Sequence, residues 1–101
     1  MLDTNDISNN PTAFDKMPTY KQKRLCNWIR RNLLPIKTFN YSRTSHDLML
    51  LYEEQTGRDE NNCITIGEFK GAMLKAGFRV KNETSAKWIF NVSENSPAFK
   101  K

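Results

Sequence analysis

Thr65-Ile66-Gly67-Glu68-Phe69-Lys70-Gly71-Ala72-Met73-Leu74-Lys75-Ala76-Gly77 is the stretch on which the fold turns. Its first four residues make a complete capping box. The Thr65 hydroxyl is placed to take the backbone N–H of Glu68 while the Glu68 carboxylate reaches back. Ile66, Phe69, Met73 and Ala76 then recur at spacings of one helix face, and Gly77 stands where a glycine commonly ends a helix. A helix over 66–76 is expected. Subtracting its apolar stripe leaves Gly67, Glu68, Lys70, Gly71, Leu74 and Lys75 outside. Gly71 in mid-helix costs about 1 kcal/mol against Ala, so it implies close approach of another backbone, a neighbouring helix in preference to a nucleic acid.

Upstream, Thr44-Ser45-His46-Asp47 offers two hydroxyls to cap a further helix, with Asp47 in its positive first turn. Leu48, Leu51, Tyr52 and Gln55 share a face, and Thr56-Gly57 ends it. An earlier helix over 20–33 starts at a second capping box, Thr19-Tyr20-Lys21-Gln22, carries Leu25, Trp28, Ile29 and Leu33 at helical spacing, and stops ahead of Pro35. Ile36 to Arg43 is a connector whose Phe39 and Tyr41 dock on the core.

Cys63-Ile64 reads as a very short strand. Downstream, Phe78-Arg79-Val80 and Trp88-Ile89-Phe90-Asn91-Val92 alternate around seven polar or small residues, Lys81 to Lys87, as an antiparallel hairpin does. Helix, helix, short strand, helix, strand, loop, strand is the order of a winged helix-turn-helix. The expected fold class is therefore α+β, three helices plus a C-terminal β-hairpin wing over residues 19–93. Residues 1–18 read as a flexible leader and 94–101 as a flexible tail.

The chain has 101 residues and a net charge of +5, but three of its eleven acids precede Lys16. Residues 20–101 hold fifteen Lys and Arg against eight Asp and Glu, a net +7. That balance points to an anionic partner. A winged helix presents its third helix to the major groove and its hairpin to the backbone or minor groove. Lys70 and Lys75 are then candidates for phosphate or guanine contact, and Arg79, Lys81 and Lys87 for phosphate contact from the wing. Arg43 and Ser45, at the N-terminus of the second helix, lie where exposed amides already favour a phosphate. Lys21, Lys23, Arg24, Arg30 and Arg31 form the densest positive cluster, read as spread over more than one helix face and partly solvated.

No catalytic constellation emerges. His46 is the single histidine, acidic pairs such as Glu53-Glu54 are adjacent rather than convergent, and no phosphate-cradling glycine motif occurs. Cys26 and Cys63 lie far apart without a CxxC pair, which predicts reduced thiols and no metal site. No apolar run reaches membrane-spanning length and no secretion signal opens the chain, so cytoplasmic residence is expected.

Ser45-His46-Asp47-Leu48, Ile64 to Leu74, Ala76-Gly77-Phe78 and Trp88 to Ser93 resemble small proteins encoded by phages and integrated mobile elements of Gram-positive bacteria, over residues 40–93. The resemblance implies a mobile-element origin and no particular chemistry. The expected function is non-enzymatic binding of double-stranded DNA in transcriptional control, replication or packaging, with no cofactor, membrane or small-molecule substrate. The alternative is a protein-interaction module or inhibitor on the same scaffold, favoured by Leu74 standing outward beside Gly71.

Overall fold

Three α-helices carry the core of the computed structural model, which describes residues 10–57 and 64–100. They are α1 (Thr19–Asn32), α2 (Ser45–Thr56) and α3 (Ile66–Lys75), with short 3-10 turns at Pro11–Lys16 and Pro97–Phe99. Two of the starts follow their local chemistry. In α3 the Glu68 N–H donates to Thr65 Oγ1 at 3.2 Å and the Thr65 N–H to Glu68 Oε1 at 2.8 Å. Thr44 and Asp47 make the same reciprocal pair at α2, and Gly57 follows that helix with φ of 97°. The α1 start differs. Pro18 occupies the cap position without a side-chain bond, and Gln22 Nε2 donates instead to the carbonyls of Phe14 and Met17.

That bond ties the N-terminal turn to the bundle. Residues 10–17, expected within a flexible leader, pack on α3 and bury Phe14 and Met17. Leu25, Ile29 and Leu33, Leu48 and Tyr52, and Phe69 and Met73 meet behind them, with Trp28 edge-on to Tyr52 at 5.3 Å between ring centroids. The C-terminal turn also docks: Ala98 is buried, Gln55 donates to its carbonyl, and the Leu34 N–H donates to Ser96 Oγ.

The hairpin wing is not formed. Among the described residues no β-strand occurs, and the fold is a small helical bundle rather than an α+β winged helix-turn-helix. Trp88 to Val92 does lie between 78–81 and 34–45, but only through the isolated bridges Val80 with Phe90, Thr44 with Ile89 and Pro35 with Val92. Side chains occupy the rungs in between. Asn91 Oδ1 accepts the Arg79 N–H at 2.6 Å while its Nδ2 donates to the Ile36 carbonyl, and Ser45 Oγ accepts the Trp88 N–H. Pro35 has no N–H to offer. The apolar alternation is real, and Trp88, Phe90 and Val92 are all buried, but it serves an extended core segment without a ladder. Ile64 is buried outside any strand, and Cys63 lies outside the described residues.

Candidate nucleic-acid interface

The seven residues expected to touch DNA do not form one surface. Lys70 is 1% exposed, its ammonium donating to the Ala86 carbonyl and lying 4.9 Å from the Trp88 ring centroid. Burial lowers its pKa to about 8. It faces inward because residues 86–88 cover the side of α3 that the apolar stripe left vacant. Ser45 is also fully buried, bound to Trp88 through both its backbone N–H and its hydroxyl. Arg43 is half-buried and paired with Glu94 at 3.1 Å, its guanidinium 3.9 Å from the Phe99 ring centroid. Hydrogen bonds from Arg43 and Asn40 hold the Glu94 carboxyl below its ordinary range.

The former wing residues divide. Arg79 and Lys81 both approach Phe39, at 5.8 and 5.7 Å from its centroid, and Arg79 donates to the Lys37 carbonyl. Lys87 is exposed near His46. Burial first, then Lys70 and Lys87, holds His46 below the usual imidazole value, with Asp47 opposing. Lys75 is exposed at the end of α3 and faces α1 across a shallow groove.

The most continuous cationic surface is on α1 itself. At 3.6 residues per turn, Lys23, Arg24, Arg30 and Arg31 fall within an arc of about 120°, together with Tyr20 and Asn27. All six are exposed, while Leu25, Cys26, Trp28 and Ile29 face the core. Lys21 falls about 60° outside this arc, half-buried on the side of Trp28 and Leu25, so the five cations do occupy more than one face, with four of them sharing one. Residues 19–32 contain no Asp or Glu, so no carboxylate of α1 neutralises this face. Angular position counted from Leu25 and Ile29, together with that absence of acids, was the signal available in the sequence.

Three carboxylates are engaged close to home, Asp47 and Glu68 in their capping boxes and Glu94 with Arg43. The Thr44 backbone bond, ahead of its side-chain bond, holds Asp47 below its ordinary value against the effect of burial. Among the described residues no group of His, Cys, Asp and Glu is placed to hold a metal ion, and no helix is long and apolar enough to cross a membrane. No protein-family model, curated protein or solved structure matches the chain.

Proposed function

We propose that this is a non-enzymatic DNA-binding protein of a phage or mobile element that grips the phosphate backbone through the outward face of α1 and Lys75. The observation carrying this reading is the α1 arc on which Lys23, Arg30 and Arg31 stand exposed, in a helix that contains no Asp or Glu. Arginine and lysine on one helix face match a phosphate row, and release of condensed counterions makes such contacts favourable at low salt. Phosphate contacts position a protein without reading bases, which favours a sequence-independent role in replication or packaging over transcriptional control.

The test is titration of isotope-labelled protein with duplex DNA at two salt concentrations, read residue by residue. Backbone resonances of α1 and Lys75 are expected to shift. With about four phosphate contacts, from Lys23, Arg30, Arg31 and Lys75, log affinity is expected to fall against log salt with a slope of about −4. Arg30→Glu combined with Arg31→Glu should weaken binding equally across unrelated duplexes. No shift in α1, or affinity indifferent to salt, refutes the assignment.

A protein partner is the second reading, favoured by Leu34 and Ile36, both exposed directly after α1. Gly71 no longer supports it, because residues 11–14 of the same chain cover that glycine. A stoichiometric partner retained through nuclease and high salt, with no DNA affinity in the purified chain, would replace the DNA reading.

A further inference from the structure

Where α1 passes α3, the surface is indented by a groove of about 190 Å³. Lys23 and Arg30 stand on its α1 side and Lys75 on its α3 side. Its floor is apolar, made by Phe14 and Cys26, both nearly buried. Burial pushes the Cys26 thiol above its ordinary value, and Arg30 and Lys75 are both close enough to oppose that shift. Charges from two helices therefore act over the same floor atom.

The remaining lining is neutral and polar. Asn27 is exposed on the same edge, with no hydrogen-bond partner among the described residues, so its amide offers both a donor and an acceptor. Gln22 is fixed by its bonds to Phe14 and Met17. Among the described residues no carboxylate lines this groove, whereas the hollow on the other side of Phe14 includes Asp15, which repels an anion.

We infer that this groove is a site for one nucleoside phosphate, its phosphate held among Lys23, Arg30 and Lys75 and its base laid on Phe14 and Cys26 with an edge toward Asn27. The inference rests on the DNA reading and names what the same surface grips most closely. Three cations need an anion of high charge density, an apolar floor needs a flat apolar face, and a free amide suits the edge of a base. The volume falls below the several hundred Å³ of ordinary cofactor pockets, which limits the occupant to a single nucleotide unit. That unit is supplied either by a free nucleotide or by the phosphorylated end of a strand.

The experiment uses the full chain, labelled for NMR, with deoxyadenosine 5′-monophosphate, inorganic phosphate, deoxyadenosine, and a short single strand with and without a 5′-phosphate. The monophosphate is expected to shift Cys26, Asn27 and Lys75 and to bind about tenfold or more tighter than phosphate or nucleoside alone. Arg30→Gln with Lys75→Gln should remove that advantage, and Lys100→Gln should leave it intact. A phosphorylated strand binding tighter than the monophosphate identifies a strand end as the source; equal affinities identify a free nucleotide.

Equal binding of phosphate and monophosphate overturns the inference, because the floor then contributes nothing. Duplex DNA shifting α1 while the monophosphate shifts no groove residue also overturns it and leaves the DNA reading standing. The reverse outcome, monophosphate binding without duplex binding, keeps the nucleotide site and removes the DNA reading. No response to any probe removes both.

Discussion

α1 and α3 are both amphipathic and both basic on paper, yet the bundle treats them differently. Of the ten residues of α3, six are buried, including Lys70 and both glycines. Of the fourteen residues of α1, four are buried, and the cations remain outside. The cause is the number of neighbours. α3 is enclosed by α1, α2, the N-terminal turn and residues 86–88, while α1 keeps one side free. A helix's polar face is available for binding only where no second layer of chain covers it.

Gly71 gives the largest test of that contrast. In an exposed helix, replacing glycine by alanine stabilises by about 1 kcal/mol. Here a Cβ at position 71 would stand 2.3 Å from the Pro11 carbonyl oxygen and 2.4 Å from Phe14 Cβ, so the N-terminal turn must move or α3 must shift. Gly71→Ala is expected to destabilise by about 3 kcal/mol, because the overpacking penalty and partial loss of Phe14 burial exceed the propensity gain. Urea denaturation measures it. A stabilised variant would mean that the turn does not press on α3.

Lys70 gives the next. Its charged form is disfavoured in the folded state, with a pKa lowered from 10.5 to about 8 by burial. Below pH 8 the ammonium is charged in both states and the full cost is present. Between pH 8 and 10.5 the unfolded chain retains a proton that the folded chain has released, so this residue's contribution to stability rises with pH, by about 3 kcal/mol across the window. Cys26 and Tyr52 act in the opposite sense, since burial raises both and their contribution is lost as pH rises past the unfolded values. Comparison with Lys70→Met isolates the lysine. The difference in stability, wild type minus variant, should rise from pH 7.5 to 10; a flat difference would show that Lys70 is solvated like the α1 cations.

What the sequence disclosed follows the same division. Thr44 with Asp47, Thr65 with Glu68, Gly57 and Gly77 act over three or four residues, and their helix boundaries were readable for that reason. The burial of Lys70 was not, because it depends on residues sixteen to eighteen positions away. Neither was the N-terminal turn: Asn10-Pro11-Thr12-Ala13 carries ordinary loop chemistry, and its partner is a pair of glycines on a distant helix. Gly71 did announce a close backbone, but the N-terminal turn supplies it rather than the neighbouring helix expected. The wing differs because alternation reports which side chains are buried, not how far backbone pairing runs: Lys81 with Ile89 and Asn91 with Arg79 bond backbone to backbone, but the Asn91 and Ser45 side chains take the Arg79 and Trp88 N–H groups and no strand develops. For the candidate site, the cationic cluster is legible on α1, as is its spread over more than one face through Lys21; the outward arc shared by Lys23, Arg24, Arg30 and Arg31 follows from counting angles against the buried residues.

Ser45 separates structural from binding roles at a smaller scale. Expected from sequence to contact DNA, it is enclosed, and its hydroxyl accepts the Trp88 N–H at 3.0 Å. Ser45→Ala leaves that buried N–H without its acceptor, so a loss of about 1–2 kcal/mol in urea denaturation is expected, with duplex affinity unchanged under conditions where the variant stays folded. Loss of affinity at full folding would return Ser45 to the binding surface.

The smallest expected effect on stability is on α1. Arg30→Gln with Arg31→Gln removes two cations from the last turn of the helix, where they interact favourably with the negative end of the helix dipole by a few tenths of a kcal/mol each. The same change relieves repulsion within a face that carries no acid, and in water that relief is of similar size. The two contributions oppose each other, and both weaken as salt is added. The net change should stay within about 0.5 kcal/mol at low salt and approach zero at high salt, measured by urea denaturation in each. A loss above about 1 kcal/mol would mean that these arginines are packed into the bundle rather than solvated, and the distinction between a covered α3 and an open α1 would fail.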